Sequence, residues 1–280
     1  MRINHNISSM ITQGALYHTN QATGKTLEKL STGLRINRAS DDAAGLSISE
    51  NLRTQVKGLG MAKRNAQDGV ALLSIAEGGM NEISSILQRM RELAVQSTND
   101  TLTTTERAYT NSEYQDLEEE IDRIVDTTEY NGQDLLDGTG FGASTSTSCI
   151  LHIGPNAEAA DEIKILIETM STTTAGLDID ATDLLDQTNS VAAIESIDAA
   201  IDIVNGARSD LGTYINRLEH SINNIINQEH NNQAAESYIR DTDFAVETAN
   251  FTKNQILSQS ATSMLAQANM IPQGVLGLLG

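Results

Sequence analysis

Tryptophan is absent from these 280 residues, phenylalanine occurs three times and tyrosine six times. Little aromatic bulk is therefore available to thicken a core. The remaining apolar residues, Ile, Leu, Ala, Val and Met, suit narrow helix-to-helix seams better than the broad interior of a layered enzyme. Cys149 is the single cysteine, which excludes an intrachain disulfide and a cysteine-based zinc site. Proline occurs only at Pro155 and Pro272, so residues 1–154 are free of the strongest helix breaker. No run of 18 apolar residues suggests a membrane span. The start, MRINHNISSM, lacks the apolar stretch of a secretory signal and by itself points to the cytoplasm. Basic residues are also scarce, 18 against 38 acidic, and the net charge of −20 works against non-specific binding to nucleic acid or anionic lipid.

What is present is heptad spacing. Leu59, Ala62, Ala66, Gly69, Leu73, Ala76, Met80, Ile83, Leu87, Met90 and Ala94 follow one another by alternating steps of three and four, the signature of a helix–helix seam. The same spacing returns as Ile194, Ile197, Ile201, Val204, Arg208, Leu211, Ile215, Leu218, Ile222, Ile225 and Glu229, where only Arg208 and Glu229 break the apolar character. At roughly 1.5 Å per residue each stripe predicts a helix on the order of 50 Å long. Rods of this length point to mechanical or assembly work rather than to a pocket.

Ile3, Ile7, Met10, Gly14 and Tyr17 carry the pattern at the start, followed after a shift by Leu27, Leu30 and Leu34, and predict a helix over 5–35. Residues 36–60 are mixed and suggest a connector with short helical pieces, ahead of a rod over 61–98. After the polar turn 98–105, Tyr114, Leu117, Ile121 and Ile124 mark a further helix, ended by Tyr130-Asn131-Gly132 because Asn and Gly accept left-handed geometry. Ile150–Ile153 and Ile163–Ile167 then suggest two short strands around Gly154-Pro155-Asn156. The second rod begins near Val191 and is expected to bend near Asn231-Asn232. Leu257, Ala261, Met264, Ala268, Ile271 and Val275 form a last seam. The fold expected is mainly α: a long antiparallel helical bundle or coiled coil with a small β-hairpin insert in mid-chain.

Sites for chemistry are hard to find. Gly24-Lys25-Thr26 has the tail of a phosphate-binding loop, but Thr19 stands where its first glycine is needed and no strand leads in. Asp178, Asp180 and Asp183 resemble the start of a calcium loop, yet Asp183 and Asn189 replace its Gly and Glu. His5, His18, His152, His220 and His230 never fall in a metal-binding spacing on one helical face. No metal, cofactor or catalytic group is expected.

Five segments carry a family resemblance: LSTGLRINRASDDAAGLSIS at 30–49, QRMRELAVQS at 88–97, TEYNGQDLLDG at 128–138, LGTYINRLEHSINNI at 211–225 and SQSATSMLAQANMIPQGVLGLL at 258–279. In that order they resemble bacterial flagellin, the subunit of the flagellar filament, over about 1–140 and 190–280. The resemblance implies an inner terminal coiled-coil domain of residues 1–42 plus 241–280, disordered in the monomer, and an outer helical domain of 43–240 with its β insert at about 131–190. Only about 55 residues separate the rods, so the large central domains of many flagellins are missing, which implies a thin, smooth filament.

The family also implies a structural, non-enzymatic subunit serving motility, secreted through the flagellar type III apparatus without a cleaved signal. This replaces the cytoplasmic reading. Partners implied are copies of itself, flagellar cap and hook-associated proteins, an export chaperone at the C-terminal helix, and the host flagellin-sensing Toll-like receptor, with no nucleic acid and no membrane insertion. Carried over by motif, Gln88, Arg89, Arg91, Glu92, Leu93 and Glu113 serve receptor contact and protofilament packing. Ile3, Ile7, Met10, Leu257, Ala261, Met264, Ala268, Ile271 and Val275 form the inner assembly seam, and Leu276, Leu278 and Leu279 a C-terminal recognition element. Competing readings are the hook–filament junction protein and a secreted enzyme built on flagellin ends. Ser144–Ser148 is a candidate glycosylation region.

Overall fold

The computed structural model describes residues 5–138, 148–173 and 176–276. Its elements in chain order are α1 (Ile7–Thr32), α2 (Ala43–Ser97), α3 (Thr104–Thr127), β1 (Glu129–Tyr130), β2 (Gln133–Asp134), β3 (Ser148–His152), β4 (Glu162–Leu166), α4 (Gln187–Arg240) and α5 (Phe244–Leu276). A mainly helical chain with a small antiparallel hairpin is thus what forms. The described residues fall into two compact units, one of 57–229 and one of 1–56 with 230–280. The helices α2 and α4 contribute residues to both.

No connector separates α2 into pieces. It runs unbroken for 55 residues, because the Asp42 carboxylate accepts the Gly45 N–H at 2.9 Å and so caps its first turn. Beside it, Asp41 accepts the backbone N–H groups of Arg38 and Asn37; chiefly the Arg38 bond holds its carboxyl below the usual carboxylate range. The bend expected near Asn231-Asn232 does not interrupt α4. The helix continues to Arg240, and the chain breaks at 241–243 instead. At the end of α1, Gly33 takes φ 72° and its N–H bonds back to the Lys29 carbonyl at 2.9 Å, the left-handed cap glycine provides.

Inside the 57–229 unit every one of the eleven seam positions from Leu59 to Ala94 is buried. On α4 the expected stripe is rotated. Ile197, Val204, Leu211, Leu218 and Ile225 are buried as predicted, but the positions between them are Ala193, Ala200 and Ala207, with Tyr214 next, rather than Ile194, Ile201 and Arg208. An alanine every seventh residue lets backbones approach. The apolar stripe is wider than the seam, and Arg208 lies at its flank, half-buried. Glu229 is met by Lys63 at 2.8 Å, so the second break is an ion pair across α2 and α4.

Thr103 and Glu106 close a reciprocal capping box at the start of α3. After α3, Asn131 (φ 54°) and Gly132 (φ 73°) turn a two-residue ribbon, β1 with β2. The helix stops earlier, at Thr127, and the Asn-Gly pair expected to stop it forms a hairpin turn instead. Strands β3 and β4 pair in the register Cys149↔Ile165 and Leu151↔Ile163. Cys149, Ile163 and Ile165 enter the core, while Ile150 and its partner Lys164 face out. Asn65 on α2 donates to the His152 carbonyl at 2.9 Å, fixing the hairpin on the helix.

Glycines in the long helices divide by surroundings. A methyl at Gly206 would meet nothing, whereas one at Gly69 would run into the Leu151 side chain. We predict that Gly206→Ala stabilises the 57–229 unit by about 0.5–1 kcal/mol through reduced backbone entropy. Gly69→Ala gains no stability, because Leu151 must be displaced. Thermal unfolding of the two variants gives the comparison; equal gains would show that the hairpin does not press on α2 at this point.

Candidate assembly and recognition surfaces

In the unit of 1–56 with 230–280, α1 and α5 pair in antiparallel fashion. Asn6 donates to the Ala268 carbonyl at 2.8 Å, Ser9 to Asn269 at 2.8 Å, and Ser258 to Asn20 at 3.1 Å. The covered positions on α1 are Ser9, Thr12, Leu16, Thr19, Thr23, Thr26 and Leu30, again spaced by three and four. On α5 they are Glu247, Phe251, Asn254, Ser258, Ala261, Leu265 and Ala268. The pair is thus joined largely through small and polar groups.

Among the described residues of the expected apolar seam, only Ala261 and Ala268 lie at this contact. Ile7 and Met10 on α1, and Leu257 and Met264 on α5, are exposed, Met10 to 66% and Met264 to 59%. Ile11, Tyr17, Ile256 and Met270 are exposed with them. The physical reason is that each helix carries two stripes, one small and polar, one apolar, and a pair of helices can cover only one. Ile3, Leu278 and Leu279, and the side chains of Ile271, Val275 and Leu276, lie outside the described residues, as does 144–147 of the serine-rich cluster.

This unit also differs in charge. Its sequence contains eight basic and eight acidic residues, while 57–229 contains ten basic and thirty acidic. The whole net charge of −20 therefore belongs to residues 57–229. Composition read over the full chain hid this division.

On the 57–229 unit, Arg89 on α2 donates to Glu113 on α3 through Nε at 3.1 Å and Nη2 at 2.8 Å, and to Glu92 through Nη1 at 2.9 Å. These bonds, Glu113's first, raise the guanidinium pKa further. Arg91 reaches the other way, to Asp198 on α4 at 2.6 Å, and holds that carboxyl below its ordinary range. Gln88, Arg89, Arg91, Glu92 and Glu113 are exposed together. Gln88, Arg91, Glu92 and Val95 line a shallow groove of about 410 Å³.

Leu93 departs from expectation. It is 2% exposed and belongs to the core with Met90 and Ala94, so in this chain it positions the helix and offers no surface for direct contact. A leucine next to a seam position is drawn inward by the same apolar burial that orders the seam. Among the described residues no group of three His, Cys, Asp or Glu is arranged to hold a metal. No described helix is long and apolar enough to cross a membrane.

The family model for the bacterial flagellin N-terminal helical region matches residues 3–141, and that for the bacterial flagellin C-terminal helical region matches 194–279. The chain belongs to the bacterial flagellin family. A flagellin of Halalkalibacterium halodurans is 48% identical over the full length of both chains, and a flagellin of Bacillus subtilis 45% identical, again over all of both. The flagellar filament 33 kDa core protein of Treponema phagedenis is 44% identical on the same terms. Among solved structures, a flagellin of Bacillus cereus is 31% identical with a TM-score of 0.49, covering 58% of this chain and 88% of that one. The family is structural, and this member is short, without a large central domain.

Surface and core roles separate by mutation. Leu93→Ala should destabilise the 57–229 unit by about 2–5 kcal/mol, the usual cost of a truncated core leucine. Arg89→Ala should leave the denaturant midpoint nearly unchanged, since exposed ion pairs contribute little. Urea unfolding followed by circular dichroism distinguishes them, and a large loss for Arg89→Ala would make that residue structural.

Proposed function

We propose that the chain polymerises into the flagellar filament that drives swimming, using the terminal helices as its assembly element. The observation that carries this reading is the packing of α1 against α5. Two helices that meet largely through small and polar groups, with Leu16, Leu30, Phe251 and Leu265 among them, while Ile7, Met10, Ile11, Ile256, Leu257 and Met264 stay exposed offer apolar faces that further copies can cover. A seam of this polarity contributes little by itself, so residues 1–42 and 241–280 are unfolded in the free monomer and order on assembly, with 43–240 outermost. A net-neutral terminal unit can be packed densely without charge repulsion, leaving the acidic surface outside.

The same reading includes export through the flagellar type III apparatus to the cell exterior. It also includes contact with cap and hook-associated proteins, and a chaperone at the C-terminal helix that includes Leu276, Leu278 and Leu279. Full-length identity of more than 40% to flagellins favours the filament subunit over a hook–filament junction protein, and nothing in the sequence supplies an enzymatic role. The exposed group of Gln88, Arg89, Arg91, Glu92 and Glu113 supports a second role as ligand of a host flagellin-sensing receptor; Arg89→Ala with unchanged stability should then abolish receptor binding in a pull-down.

Met264→Asp provides the test of assembly. Its side chain is already in water, so the monomer's unfolding should be unaffected while extension of filament seeds, seen by electron microscopy, is lost because a charge would be buried between copies. Unimpaired growth would place α5's apolar face outside the filament wall. Ala268→Asp, by contrast, acts on the α1–α5 contact itself.

Charge adds a further expectation. Growth on seeds should accelerate as salt rises to about 0.1 M, where the screening length is about 10 Å, because the acidic units repel one another. A rate that declines throughout the series would mean that ion pairs between copies dominate.

A further inference from the structure

Four residues of α3 face the segment that precedes α4. Asn111 accepts the Leu184 N–H at 2.8 Å, and the Tyr114 and Thr182 hydroxyls are 2.6 Å apart. Asp122 accepts both the N–H and the hydroxyl of Thr172 at 2.9 Å. Leu177, Ile179 and Leu184 of the segment are buried in the core of the 57–229 unit, so it is a strap anchored by apolar side chains, with polar ties to α3 at Thr182 and Leu184 and a further tie just before it at Thr172. Spacing by three and four puts Glu118 on the same face, between Tyr114 and Asp122. It is half-buried and, among the described residues, makes none of the hydrogen bonds to the segment that its three neighbours make.

The charges acting on Glu118 are all negative: Asp122 and Glu119 from its own helix and Asp180 from the strap. Tyr114, one turn away, is the remaining titratable neighbour, and its hydroxyl, pushed up to about 12 mainly by burial, stays protonated. We propose that Glu118 is a pH-sensitive latch for the strap of residues 176–184, holding it on α3 as a neutral carboxyl and loosening it as a carboxylate.

Burial, followed by Asp122 and Asp180, pushes the Glu118 carboxyl up to about 7. With the strap lifted, the carboxyl regains water and an ordinary pKa of about 4.3. Below that value both states hold the proton and docking does not depend on pH. Between it and about 7 only the docked state is protonated, so each rise in pH favours the open state. Above that range the effect is constant. The apolar anchors keep the unit folded throughout, and the change is one of local opening.

Amide-resolved hydrogen exchange on the full chain, corrected for the intrinsic pH dependence of exchange, tests this at pH 5 and pH 8. In the native chain protection at Thr172, Ile179 and Leu184 should fall several-fold to about tenfold between the two, while protection at Ile83 and Val204 of the α2–α4 core is unchanged. The full shift corresponds to more, but Glu118 is only partly withdrawn from solvent. Glu118→Gln, of the same shape, should keep the strap protected at both pH values. Glu195→Gln, which removes one exposed charge from α4, should behave as the native chain does. Identical pH profiles for Glu118→Gln and the native chain would overturn the proposal. So would an equal gain from Glu195→Gln, which would make the effect one of overall charge.

Discussion

Apolar side-chain contact between α2 and α4 is the constraint on which the 57–229 unit depends. Helices of 55 and 54 residues cannot be stabilised by propensity alone and need a continuous apolar contact along their length. Leu, Ile and Met of α2 meet a row of α4 in which Ala193, Ala200 and Ala207 alternate with Ile197, Val204 and Leu211. The alanines leave room for the larger side chains of α2, which fill the space between the helices. The helix α3, the hairpin of β3 and β4, and the strap before α4 each cover part of this pair, so their positions follow from it.

Terminal and central parts of the chain use helix pairing in opposite ways. The central unit turns its largest apolar side chains inward and carries its charge outside, as a protein complete in itself does. The terminal unit turns mostly Ser, Thr and Ala inward, with a few Leu and one Phe, leaves Met10, Ile11 and Met264 in water, and has no net charge. The two units are thus held differently: the central one by apolar burial between its helices, the terminal one by a helix pair whose apolar stripes face solvent.

Titratable groups follow the same logic. Most of the carboxylates lie on the solvated exterior of the 57–229 unit, where water screens them. Glu118 differs because the strap covers it while Asp122 and Asp180 stay close. Covering one carboxyl among others makes its proton part of the local structure, which a scattered acidic surface does not do.

Which residues of α2 lie on its seam, and that two rods exist, was determined by sequence alone: a stripe from Leu59 to Ala94 with a period of 3.5 can be buried in only one way. The hairpin of β3 and β4 was legible as well, since two short apolar runs, Ile150–Ile153 and Ile163–Ile167, flank the turn residues Gly154-Pro155-Asn156. Sequence also announced the family, through blocks at both ends. What only tertiary structure decided was the choice among competing stripes. Arg208 and Ala207 are one residue apart, and either stripe could have been central until α2 selected the one with room for its larger side chains. Ser9 and Met10 likewise stand side by side on α1, and the partner helix took the polar one. Periodicity gives the spacing of a helix face, whereas its phase depends on which surface the helix meets, and that surface is brought by residues far away in the chain.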